Sequence, residues 1–200
     1  SEHVYTKRPS EEPPMSGIQS VCVYCGSSNT VDDAYLALAD RLGDAIARRG
    51  WRLVYGGGDV GLMGRTARAA HKAGGDVLGI MPKFLQQIEG HYEDVPHQIV
   101  DTMHERKNLL FSESDAFIVL PGGIGTLEEA VETLSWAKLS LHAKPMAFLS
   151  EDEYWAPFFE LMDHIIAGGF SPPSMRRLVA DAKTPEDALE ALEARFIVLD

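Results

Sequence analysis

The fold is decided by one stretch, Asp115-Ala116-Phe117-Ile118-Val119-Leu120-Pro121-Gly122-Gly123-Ile124-Gly125-Thr126-Leu127-Glu128-Glu129. From Asp115 to Leu120 it is an almost unbroken apolar run of strand length. A strand with apolar residues at nearly every position is covered on both faces. Pro121-Gly122-Gly123 stops it, and Gly125 to Lys138 then reads as a helix. Within that helix Leu127, Ala130, Val131, Leu134 and Ala137 form the stripe expected to face a sheet.

The same strand-then-helix unit repeats outward in both directions. Ile18 to Tyr24, Trp51 to Tyr55, Asp76 to Met81, His97 to Val100 and Pro145 to Leu149 read as strands. Asp32 to Arg49, Leu62 to Ala73, Met103 to Ser112 and Tyr154 to Ala167 read as helices, and Thr184-Pro185-Glu186 opens a last one. Lys83 to Pro96 reads as irregular. Alternating strands and helices predict an α/β fold, Rossmann-like, with a parallel β-sheet and helices on both faces. In such a sheet ligands bind beyond the C-terminal ends of the strands. Residues 1–16, proline-rich and without periodicity, read as a flexible tail or an added segment. Residues 17–200 read as one nucleotide-binding domain.

Composition narrows the function. Lys and Arg total 18 against 30 Asp and Glu, a formal charge of −12. This argues against nucleic-acid binding, which needs a basic surface to release counterions. No apolar run approaches a membrane span and no signal peptide is visible, so a soluble cytoplasmic protein is expected. Cys22 and Cys25 form a CxxC, but Cys22 falls inside a strand, so packing is expected rather than redox chemistry. His104-Glu105 begins like a zinc HExxH, yet Asn108 stands where the second histidine is needed. No metal site and no cofactor are expected.

Glycine clusters end three strands: Cys25-Gly26-Ser27-Ser28, Gly56-Gly57-Gly58 and Pro121-Gly122-Gly123-Ile124-Gly125-Thr126. Glycine lets backbone approach a ligand closely, and the helix N-terminus that follows suits a phosphate. Gly56, Gly58 and Gly61 fit GxGxxG, but the motif follows the second strand and no ribose-binding acid ends the third. The loops also lack the lysine ending of a P-loop.

Two charged residues sit where apolar ones are expected. Met103, Arg106 and Leu110 share one helical face, so the guanidinium lies along an apolar stripe. It serves either a structural ion pair or an anionic ligand. Glu129 shares its side of its helix with Trp136, a tryptophan on the supposed solvent face. A second copy of the helix would cover that face in a symmetric homodimer. Glu129 then stands in a partly dry place; otherwise it is an ordinary first-turn acid.

Pro121 to Glu129 fits PGGxGTxxE and Met103 to Lys107 fits MHxRK. With Tyr55-Gly56-Gly57-Gly58 and Gly61-Leu62-Met63-Gly64, the chain resembles the Lonely Guy (LOG) family over roughly residues 18–169. Its members are cytokinin riboside 5'-monophosphate phosphoribohydrolases, long labelled lysine decarboxylase-like. The resemblance implies a Rossmann-like fold, a homodimer, no cofactor, and hydrolysis of a nucleoside monophosphate to free base and ribose 5-phosphate. It implies Arg106 and Glu129 as catalytic residues. The expected substrate-binding set is Ser27, Gly57, Gln87, Met103, Arg106, Lys107, Gly123, Ile124, Gly125, Thr126, Leu127, Glu128, Glu129 and Ser135. Gln87 stands there in place of a glutamate that the family carries before MHxRK. The older label would require a Schiff-base lysine and an acid for the pyridine nitrogen, and no such framework is recognisable. The alternative is a non-catalytic carrier of a phosphorylated ligand such as molybdenum cofactor.

Overall fold

A computed structural model describes residues 17–196; the expected tail, 1–16, lies outside them. One seven-stranded sheet runs through the molecule. In chain order its elements are β1 (Ser20–Tyr24), α1 (Asp33–Arg48), β2 (Arg52–Tyr55), α2 (Gly61–Lys72), β3 (Val77–Pro82), α3 (Lys83–Glu89) and β4 (His97–Val100). There follow α4 (Met103–Ser112), β5 (Ala116–Val119), α5 (Ile124–Lys138), β6 (Met146–Leu149), α6 (Ala156–Ala167), a 3-10 turn (Pro173–Leu178), β7 (Val179–Ala182) and α7 (Pro185–Phe196). The strand order is β4-β3-β2-β1-β5-β6-β7, and every pairing is parallel. The α/β, Rossmann-like expectation therefore holds.

Alternation along the strands divides the core in two. Val21, Val23, Leu53 and Ile118 pack toward α1, α2 and α7, with Leu38, Leu42, Ile46 and Leu192. Cys22, Tyr24, Phe117 and Val119 pack toward α4, α5 and α6, with Leu110, Ala130, Leu134 and Phe159. Each large side chain so buried contributes about 1.5–3 kcal/mol. Both thiols are buried and free, on opposite sheet faces, and burial pushes them well up from their ordinary range.

Three local readings need correction. Lys83–Pro96 is not wholly irregular: α3 occupies Lys83–Glu89. The sheet gains β7, whose Val179-Ala180-Asp181-Ala182 carries an exposed acid in an otherwise buried edge strand. On α5, Val131 is 46% exposed, while Thr126 and Thr133 are buried beside Ala130 and Leu134. The buried threonine is satisfied: the Thr133 hydroxyl donates to Glu129 O (2.9 Å) and lies 2.9 Å from the Tyr24 hydroxyl.

The order reverses between β1 and β5. A crevice opens there, because the connections leaving the two strands run to opposite faces. Among the described residues, no helix is long and apolar enough to cross a membrane.

Candidate active site

A cavity of about 530 Å³ fills this crevice. That is the size of a small-molecule site. Cys25 to Ser28, which follow β1, form one wall, and Pro121 to Gly123, Gly125 and Thr126, which follow β5, form another. Leu62 and Met63 of α2, Leu85 and Glu89 of α3, and Met103 and Arg106 of α4 close it, with Glu128 and Glu129 below the glycine loop.

The β5 loop is built to stay open. Gly122 packs so tightly on the Thr126 side chain that a Cβ would overlap it, whereas a Cβ on Gly123 or Gly125 would meet nothing among the described residues. Gly123 caps α5, whose first-turn N–H groups have no partner within the helix. Free amides and a positive helix end are features that suit an anionic group such as a phosphate. Thr126 places a hydroxyl beside them.

Arg106 is 4% exposed, an unusual depth for a cation. Its Nε donates to Ile80 O (3.1 Å) and its Nη2 to Gly56 O (2.6 Å). Two carbonyls thus anchor a guanidinium that has five N–H groups, leaving donors for a ligand. Gly56 must be glycine, because a Cβ would overlap that guanidinium. Thr102 caps α4 by accepting from Glu105 N (3.1 Å), which fixes the turn that carries Arg106.

Glu129 keeps part of its surface exposed, yet its carboxyl is pushed up to about 7. Burial is the main cause; Glu128 and Glu89 add to it, while Arg106 and Lys107 oppose it. A carboxyl near 7 changes charge in the physiological range, as catalytic carboxyls often do.

Residues 63–192 match the family described as "Possible lysine decarboxylase". The chain is 42% identical over 180 residues to an Arabidopsis thaliana cytokinin riboside 5'-monophosphate phosphoribohydrolase, covering 90% of this chain and 79% of that one. It is 41% identical over 179 residues to an enzyme of the same name from Oryza sativa subsp. japonica (89% and 74%). The chain belongs to the LOG family. In fold it is similar to the molybdenum cofactor binding protein of Rippkaea orientalis, with TM-score 0.67 and 26% identity over 88% of this chain and 96% of that one. The molybdenum cofactor carrier protein of Chlamydomonas reinhardtii has the same fold, with TM-score 0.68 and 23% identity over 90% and 98%.

Of the residues expected from LOG motifs, the cavity gathers Ser27, Met103, Arg106, Gly123, Gly125, Thr126, Glu128 and Glu129. The others are not among its lining residues. Gly57 (φ +85°) faces His97, whose Nε2 lies 3.1 Å from Gly57 O. Lys107 Nζ is held between Glu128 and Glu132, 2.7 Å from each. Ile124 is 84% exposed, and Leu127 packs partly against the core. Ser135 and Gln87 are exposed, outside the cavity lining.

Two residues on from Gln87, Glu89 does line the cavity. Its Oε1 lies 3.4 Å from the Ser27 hydroxyl, and its buried Oε2 has no partner among the described residues. Only the turn of α3 distinguishes the two positions. Trp136 also has an explanation within the chain, since its ring packs edge-on against Phe111 of α4 at 5.3 Å. It does not by itself call for a second copy.

Proposed function

We propose that this LOG-family chain hydrolyses the N-glycosidic bond of adenosine 5'-monophosphates, including N6-modified ones, to free base and ribose 5-phosphate. The observation that carries this reading is the meeting of Arg106, Glu129 and the β5 glycine loop in one crevice. The names and identities of the plant relatives support it.

The 5'-phosphate lies on the amides of Gly123, Ile124, Gly125 and Thr126, with the Thr126 hydroxyl as a further donor. The bond between ribose C1' and the base nitrogen breaks, and positive charge builds on the ribose ring. Glu129, as a carboxylate, stabilises that charge. Arg106, permanently protonated, holds an electron-rich edge of the base as it departs. Water supplies the oxygen to C1', and its proton ends on the base. Glu89 takes the part expected of Gln87, its free Oε2 accepting from a ribose hydroxyl. A pyridoxal-dependent decarboxylase needs a lysine in its site, and no lysine is among the described residues lining this cavity.

A homodimer fits the exposure of Val131, Leu139 and Leu141 on and just beyond α5. Two free buried thiols fit a reducing, cytoplasmic compartment.

The purified protein should convert AMP and N6-isopentenyl-AMP to equimolar base and ribose 5-phosphate, and should cleave the free nucleosides much more slowly. Tight binding of a phosphorylated ligand with no release of sugar phosphate would instead favour a carrier.

A further inference from the structure

The loop between β6 and α6 crosses beside the β5 glycine loop. Arg41 of α1 pairs with both carboxylate oxygens of Glu151, and the Tyr35 hydroxyl donates to Asp152 Oδ2 (2.5 Å). Lys183 pairs with Glu153 (2.7 Å). The Glu153 backbone is left-handed, φ +61°, a conformation that non-glycine residues keep only where surroundings impose it. The next residue, Tyr154, donates its hydroxyl to Gly122 O at 2.6 Å.

The neighbouring carbonyls are held by backbone: Pro121 O accepts from Gly26 N (3.2 Å) and Gly123 O from Leu127 N (3.1 Å). Gly122 O is held by a side chain from a distant part of the sequence. In a trans peptide, the C=O and the following N–H point to opposite sides. Fastening Gly122 O therefore sets the direction of the Gly123 N–H. Glycine on both sides of this peptide leaves its orientation otherwise free. A flip would carry Gly123 from φ −97° to the positive side, which glycine accepts at no steric cost. The flipped peptide would offer a phosphate a carbonyl oxygen in place of an amide.

We propose that Tyr154 is a positioning residue for this reaction, holding the Gly122–Gly123 peptide with its amide available to the substrate phosphate. The inference rests on the phosphate cradle of the proposed function. Tyr154→Phe keeps the ring, which packs edge-on against Tyr35 (5.6 Å) and Trp155 (4.9 Å), and removes only the hydroxyl.

The test compares steady-state turnover of AMP with inhibition by each product. In Tyr154→Phe, KM for AMP and the inhibition constant of ribose 5-phosphate should both rise about tenfold, the loss of one hydrogen bond's worth of affinity. The inhibition constant of free adenine should stay at the wild-type value, and kcat within about twofold. An unchanged ribose 5-phosphate constant overturns the proposal. So do an equal rise for adenine, or a fall in Tm of more than about 5 °C, because either marks a structural role. If wild type releases no ribose 5-phosphate from AMP, the hydrolase reading itself has failed.

Discussion

Two glycine clusters end the strands on either side of β1, and they do opposite things. The loop after β5 uses glycine to stay empty: side chains on Gly123 and Gly125 would meet nothing among the described residues. The loop after β2 uses glycine to be filled. Gly56 makes room for the Arg106 guanidinium, Gly57 for the His97 ring and Gly58 for the Met63 sulfur. Burial pushes His97 down from its ordinary range, against the pull of its Val95 and Gly57 carbonyl partners. One loop leaves space open, and the other seats the arginine that lines the same cavity.

This contrast can be broken by substitution. The largest effect belongs to the open side, where Glu129→Gln should lower kcat by about 10²–10³, the usual cost of losing a charge-stabilising group. Turnover near wild type would remove Glu129 from the chemistry. Gly56→Ala should act twice, costing about 1–3 kcal/mol of stability through overpacking and lowering kcat as Arg106 is displaced. Denaturant unfolding and steady-state kinetics read the two effects separately. Gly123→Ala should leave stability within about 0.5 kcal/mol, as a surface change does, and raise KM for the monophosphate. If it unfolds the protein more readily than Gly56→Ala, the contrast between the loops is wrong.

A smaller effect follows from linkage. The folded protein holds the Glu129 proton up to about 7, above the ordinary carboxyl value of 4.5. The folded state therefore binds more protons across that window, and stability falls as pH rises through it. Glu129→Gln removes this penalty. Its Tm should exceed wild type by about 2–4 °C at pH 8, with the difference vanishing near pH 4.

Much of this was legible from residue pattern. The Phe117–Leu120 run could only be a strand buried on both faces, and it set the parallel sheet. Arg106 was visible as a charge on an apolar stripe. What stayed hidden depended on packing. Helix α3 has only seven residues, and its Phe84 and Ile88 face solvent, so no buried stripe marks it. Without that helix, Gln87 and Glu89 could not be told apart. On α5, Thr133 rather than Val131 faces the core, because Tyr24 and the helix's own carbonyl satisfy its hydroxyl. The Gly56–Gly58 cluster resembled a ligand loop because glycine records only that something comes close. Whether the neighbour is a substrate or an arginine fifty residues on is a tertiary fact.

The central claim is that Glu129 works as a carboxylate beside Arg106, and the pH dependence of kcat/KM for AMP tests it most directly. Activity should rise with pH through an inflection near 7, and Glu129→Gln should lack that limb. Activity that falls through the same inflection would make the protonated acid the working form and contradict the account.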